Sequence, residues 1–149
     1  MQLSDKEIAA IRESMKWLMP EAERVSTEFY KDLFRRDPEL SEMFQDSMHA
    51  QGMRFMAAVG AISDNLDQPE KLKAYVAWLA GAHAPFNLGA KAYHNMQEAL
   101  IDTFRYALGA RFTNEMQLAW RSAFGQVCEA MMERTGVDPS VLEPAARIS

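Results

Sequence analysis

Cysteine is nearly missing from this chain: Cys128 is the single one in 149 residues. One thiol can neither close an intramolecular disulfide nor build a thiolate zinc cluster. Glycine and proline are sparse, at 7 and 6. No Asn-Gly or Asp-Gly pair joins two alternating apolar runs, and Val, Ile and Thr do not cluster, so a sheet has no signal. No apolar run approaches the roughly 18 residues of a membrane span. The N-terminal MQLSDKEIAA lacks the apolar stretch of a secretory leader, so a cytoplasmic chain is expected. Basic residues are outnumbered, 16 against 21, for a net charge of −5. That balance argues against a phosphate-backbone partner such as nucleic acid. The length suits one domain with a real core.

What is present is helical spacing from end to end. Ser4-x-x-Glu7 is a capping box, followed by Ile8, Ile11, Met15 and Leu18 on one face. Pro20 divides this helix from a second, whose buried side carries Val25, Phe29, Leu33 and Phe34, with Tyr30 beside Phe29. Arg35-Arg36-Asp37-Pro38 is a break. Pro38-Glu39-Leu40 opens a short turn that delivers Phe44, and residues 45–49 read as a loop. The spacing predicts a helix from about Ala50 to Leu66, with Met56, Val59 and Ile62 inward. Asp67-Gln68-Pro69 breaks it. Another helix, from about Glu70 to Ala84, carries Leu72, Val76 and Leu79 and arrives at His83. Pro85 stops it, and Asn87 and Gly89 mark a corner. A long helix over about Ala90 to Leu108 holds Tyr93, Met96, Leu100 and Phe104 on one face and is capped by Gly109. Thr113 caps the last helix, whose inward row is Met116, Trp120, Phe124, Val127 and Met131. Gly136 ends it. One domain over residues 1–136 and a loose extension over 137–149 are expected. An all-α chain of short, sharply broken helices points to steep helix crossings of the globin kind rather than a four-helix bundle.

His83 draws attention because nothing accompanies it. A lone histidine on a helix is usually a satisfied structural residue. With no Cys or second His at ligand spacing, a metal role suits only a centre that brings most of its own ligands. Haem is such a group, needing a single axial ligand from the protein. The eleven methionines fit a core shaped around a flat ligand, and any soft core equally.

The order of motifs then resembles a family. FYKDLFRRDPELSEMF (29–44), Gln51, DNLDQPEKL (64–72), His83, Tyr93 and ALGARFTNEMQLAW (107–120) are similar in order and spacing to bacterial single-domain globins and to the globin part of flavohaemoglobins. The resemblance covers about Leu3 to Gly136. It implies the globin fold, three helices packed on three around haem b. It implies Phe44 stacking on the haem, His83 as proximal iron ligand, and Tyr30 with Gln51 as the distal pair over the sixth iron position. Phe55, one turn beyond Gln51, would wall the distal side and is bulky for that place. Arg54 would reach a propionate, or stay solvated. Leu88 and Met96 would contact the ring, with Leu100 deeper. Tyr93 matches the tyrosine of a proximal Tyr–Glu–His network, but the glutamate's place falls on Thr135, so the network looks incomplete. Each side chain also has an ordinary reading: Phe44, Leu88, Met96 and Leu100 as core, Tyr30 as a buried phenol, Gln51 as a solvated first-turn residue. His49 and His94 are expected to be solvated and turned away, and Cys128 to be a small core residue.

Two donors such as Tyr30 and Gln51, aimed at a ligand that gathers negative charge, stabilise it best in a dry pocket. The resemblance implies binding of dioxygen, nitric oxide and carbon monoxide, and conversion of nitric oxide with dioxygen to nitrate. The chain carries no Gly-rich nucleotide loop, so the expected electron source is a separate reductase. Without turnover the same residues would serve oxygen storage and transport, or a gas sensor acting through a partner protein. A haem-free globin fold for protein interaction is opposed by the retention of His83, Tyr30 and Gln51.

Overall fold

The structure is a computed structural model, and residues 2–44 and 47–138 are described. It is built of six α-helices, α1 (Asp5–Leu18), α2 (Ala22–Arg36), α3 (Met48–Asp64), α4 (Pro69–His83), α5 (Ala90–Leu108) and α6 (Asn114–Arg134), with no strand among the described residues. Each boundary has a local cause. Ser4 Oγ accepts from the Glu7 N–H at 3.1 Å while the Glu7 carboxylate accepts from the Ser4 N–H at 2.8 Å, which closes the capping box that starts α1. Pro20 sits in a single 3₁₀ turn, Met19–Glu21, between α1 and α2. Asp37 takes φ −142°, ψ 80° ahead of Pro38, as the clash with a following proline ring demands. A second 3₁₀ turn, Pro38–Met43, then hands the chain to Phe44.

α3 begins two residues before the Ala50 expected from apolar spacing. Ser47 caps it by accepting from the Ala50 N–H at 3.4 Å, and a cap on polar residues leaves no periodic trace. Residues 45 and 46 of the expected loop lie outside the described residues. After α4, the 3₁₀ turn Ala84–Phe86 contains Pro85, and Asn87 adopts the left-handed conformation at φ 53°, which asparagine tolerates through local hydrogen bonding. Thr113 caps α6 with its hydroxyl 3.1 Å from the Met116 nitrogen. At the far end Gly136 takes φ 78°, the Val137 N–H donates to Met132 O at 2.8 Å, and the Gly136 N–H to Glu133 O at 3.4 Å. These two bonds satisfy carbonyls that the helix end would otherwise orphan. Val137 packs against the core; the remainder of the expected extension, past Asp138, lies outside the described residues.

The helices form two layers, α1, α3 and α4 over α2, α5 and α6. α1 and α4 rest on α6, α3 rests on α2, and α5 joins α2 to α6. Trp120 and Phe104, both with no exposed surface, meet edge to face with centroids 5.0 Å apart. Each such buried aromatic stabilises the fold by roughly 1.5–3 kcal/mol relative to exposure. The Trp120 indole donates to Ser14 Oγ at 2.8 Å, and Ser14 donates in turn to Ile11 O at 2.6 Å, so the polar atoms of this core junction are satisfied. α2 and α3 approach closely at Gly52, where a Cβ would stand 2.5 Å from Ser26 Oγ. Cys128 is buried, as expected, and burial pushes its thiol pKa up. Phe34 and Phe124, expected inside, are half-buried.

One pair of neighbours is missing from this packing. α3 and α4 are consecutive in sequence and share a layer, yet they scarcely touch.

Candidate ligand-binding cleft

The space between α3 and α4 is a cleft lined mainly by apolar side chains. His83 lines it from the end of α4, Gln51 and Phe55 from α3, Tyr30 from α2, and Leu88 and Met96 from the far corner and α5. Phe44 completes the set. The enclosed cavity is small, about 90 Å³.

His83 is held by its own helix. Its Nδ1 lies 2.8 Å from Leu79 O, one turn back, and a neutral imidazole there must donate to that carbonyl. Nε2 is thereby left as the acceptor nitrogen, and it has no hydrogen-bond partner among the described residues. Phe86 sets the ring from the side, edge to face at 6.4 Å. This combination, one nitrogen oriented by a carbonyl and the other free at a cleft, is what a metal-ligating histidine requires.

Tyr30, Gln51 and Arg54 form a chain. Arg54 donates to Gln51 Oε1 at 2.7 Å, and Gln51 Nε2 donates to the Tyr30 hydroxyl oxygen at 3.2 Å. The guanidinium thus fixes the amide so that its NH₂ faces the phenol. Since the phenolic oxygen accepts from Gln51, its own proton is available to a guest in the cleft. Burial raises the Tyr30 pKa, outweighing the Gln51 hydrogen bond and the Arg54 charge, which lower it. The hydroxyl therefore stays a protonated donor at neutral pH. Four aromatic rings, those of Phe29, Phe34, Phe44 and Phe55, contact the Tyr30 ring with centroids 5.0–5.9 Å away.

The cleft therefore gathers Tyr30, Phe44, Gln51, Phe55, His83, Leu88 and Met96 of the residues singled out in the sequence. Three others stand outside its lining. Arg54 is exposed; it donates to Gln51, and its charge lowers the Tyr30 pKa. Leu100 is fully buried behind it. Tyr93 is 1% exposed; burial raises its pKa, outweighing the Thr135 side chain, which lowers it. Thr135 Oγ1 donates to Met131 O at 2.9 Å. His49 is exposed, with Nδ1 3.6 Å from Glu23 Oε1, and His94 has no role in the lining. Sequence reasoning passed over Met43 and Phe86 at the cleft mouth. Both sit in 3₁₀ turns, where no apolar period marks a buried face. Phe29, Leu33 and Leu40 were legible only as apolar positions.

Among the described residues, six helices in two layers bring a histidine and a tyrosine–glutamine pair to one cleft. The model of the globin family matches residues 27–131, and the chain belongs to that family. It is similar to a flavohemoprotein of Bordetella pertussis, 27% identical over 135 residues, which cover 89% of this chain and 34% of the relative. A flavohemoprotein of Rhizobium meliloti is 30% identical over 106 residues, 69% of this chain and 26% of the relative. One from Vibrio cholerae is 24% identical over 137 residues, 90% of this chain and 35% of the relative. The chain thus spans about a third or less of the length of these relatives. Among the described residues no helix is long and apolar enough to cross a membrane.

Proposed function

We propose that this globin binds haem b with His83 as the axial ligand, and holds a diatomic gas beneath Tyr30 and Gln51. The gases are dioxygen, nitric oxide and carbon monoxide, and the reaction is detoxification of nitric oxide: one nitric oxide, one dioxygen and one electron from a separate reductase in the cytoplasm would give one nitrate. One observation carries the reading. His83, oriented by the Nδ1 bond to Leu79 O, lines the same cleft as the Gln51–Tyr30 donor pair. The donor set fits the group: one imidazole nitrogen, apolar walls and polar atoms at one end are what a haem site needs. A cavity of about 90 Å³ is smaller than the few hundred Å³ usual for a bound cofactor, so uptake requires α3 and α4 to part. Their scant mutual contact permits it.

Haem, when bound, supplies the iron at which a gas is held and exchanges electrons. This chain's residues do the rest. His83 orients through Leu79 O. Tyr30 donates its proton to the charge that gathers on the gas, and Gln51 holds the phenol in place. The rings of Phe29, Phe44 and Phe55 keep water away, which strengthens that hydrogen bond.

A non-enzymatic oxygen store is the second reading, and one feature favours it. The structure gives His83 no carboxylate partner among the described residues, only a neutral carbonyl. No carboxylate raises the basicity of the imidazole.

Titration of the apoprotein with haemin, followed by visible spectra of the ferric, ferrous and carbon monoxide forms, tests the site. The expected result is one haem per chain, with His83→Gly losing tight binding and recovering the wild-type spectrum on addition of imidazole. A His83→Gly protein with unchanged affinity and ferrous spectrum refutes the assignment. Nitric oxide consumption with stoichiometric nitrate, sustained by a cell extract and nicotinamide cofactor, separates the enzyme from the store.

A further inference from the structure

We infer that Arg12, which lines no part of the cleft, is a positioning residue for it: Arg12 clamps the corner that joins α3 to α4 and so restrains the parting of these helices. The consequence for cofactor entry and loss rests on the haem reading above. α3 and α4 scarcely touch along their lengths. Their relative placement therefore depends on α6, which carries α4, and on the corner between Asp64 and Pro69. Arg12 reaches that corner from α1, across 51 to 55 residues of sequence. Its Nε donates to Ser63 O at 3.3 Å, and its Nη2 donates to Asp64 O at 3.3 Å and to Asp67 Oδ1 at 2.9 Å. The two carbonyls belong to the last turn of α3, where a helix supplies no donors of its own and its dipole favours a cation. The carboxylate belongs to the turn that leads into α4. One planar guanidinium thus holds both sides of the corner, which the compact ammonium of a lysine cannot do.

The clamp has a firm base. Ile11, beside Arg12, has no exposed surface, and neither has Ser14, whose hydroxyl accepts from Trp120 of α6. α1 therefore stays in place when the corner moves. Leu66 is buried in the core and gives the corner a pivot, while the Gln68 N–H donates to Asn65 O at 2.9 Å and closes the turn. The Arg12 hydrogen bond holds the Asp67 carboxyl below its ordinary range, so this partner is charged at neutral pH. The Arg12 and Asp67 side chains keep 40% and 55% of their surface exposed, so water competes for the pair and the restraint is weak. It slows the opening of the cleft without forbidding it.

The test measures haemin loss from the haem-loaded full chain to excess apomyoglobin, in wild type, Arg12→Ala, Arg12→Lys and Asp67→Asn. Hydrogen exchange of the amides of residues 69–83 is followed by mass spectrometry on the same samples. The expected result is haemin loss roughly two- to fivefold faster in Arg12→Ala, in line with what exposed pairs contribute. Arg12→Lys and Asp67→Asn should fall between, since each keeps part of the bonding. Exchange over 69–83 should quicken in step, with that of α5 and α6 unchanged. Asp67→Asn leaves both carbonyl bonds in place and reads the clamp even if Arg12→Ala fails to fold. Unaltered loss and exchange in the variants overturn the clamp and leave the haem site standing. Exchange that quickens equally in α5 and α6 also overturns it, because Arg12 would then only stabilise the fold. If the chain takes up no haem, the site reading fails, and exchange over 69–83 in the unloaded full chain decides the clamp alone.

Discussion

Replacing Tyr30 with phenylalanine removes one oxygen and keeps the ring that four aromatic neighbours hold, so the variant folds. What is lost is the proton that faces the cleft, because the oxygen is occupied as acceptor from Gln51 at 3.2 Å. A hydrogen bond to an acceptor carrying charge contributes about 1.5–3 kcal/mol. If that stabilisation is absent once the ligand has left, oxygen release should accelerate roughly 10–150-fold, at about 1.4 kcal/mol per decade. Gln51→Leu removes only a neutral bond that steadies the phenol, so its effect should be smaller, of order 0.5–1.5 kcal/mol or roughly 2–12-fold. The two are coupled. In Tyr30→Phe the Gln51 amide loses its acceptor and turns to the ligand, softening the loss. The double variant should therefore release oxygen faster than the product of the single effects, as a double-mutant cycle reads it. The assay is stopped-flow displacement of dioxygen by carbon monoxide on the ferrous protein. An unchanged rate in Tyr30→Phe would refute the donor assignment, and strict multiplicativity would refute the coupling.

Three further outcomes follow from the packing. Gly52→Ala puts a Cβ 2.5 Å from Ser26 Oγ and should destabilise the apoprotein by about 1–3 kcal/mol in urea unfolding. Adding Ser26→Gly should recover part of that loss; no recovery would mean the close approach is not the cause. Ser14→Ala strips the Trp120 indole of its buried acceptor at 2.8 Å and should cost about 1–3 kcal/mol; a stability equal to wild type would contradict the bond. Asp32 titrates below its ordinary 3.8: burial raises it, but the hydrogen bonds and charges of Arg36 and Arg35 outweigh burial. A folded value below the unfolded one gives stability that is complete above 3.8 and disappears as pH falls through the depressed value. Asp32→Asn should therefore flatten the stability–pH curve below that point, and an unaltered slope would show that the arginines do not act on it.

Helix existence was readable because apolar spacing and caps agree. Ser4 with Glu7, Thr113 and Gly136 are local signals, and each does in the structure what its chemistry suggests. The start of α3 was misjudged because Ser47, Met48 and His49 carry no apolar period. Within the cleft, His83, Tyr30 and Gln51 were singled out by the family resemblance, whereas Met43 and Phe86 belong to turns and were not visible. The arrangement of Arg54 illustrates a different limit. Helical spacing puts it near Gln51, but only the folded chain shows its guanidinium gripping the amide oxygen and thereby deciding which end of Gln51 meets Tyr30. Thr135 shows the reverse. Counting along α6 placed it where it could meet Tyr93, and its side chain lowers the Tyr93 pKa against the larger upward pull of burial.

The gap between α3 and α4 also sets an order of assembly. α4 is anchored chiefly to α6, while the other five helices brace one another on several sides. Its opening is then a sub-global event that leaves the rest of the molecule folded. Amide hydrogens of residues 69–83 should exchange with solvent well before those of α1, α5 and α6 in the cofactor-free protein. A guest that bridges the two helices supplies the contact they lack, so loading would appear as protection spreading over one segment rather than as a new fold. On this view the polypeptide builds a five-helix frame first, and the histidine-bearing helix is the latch that the cargo closes.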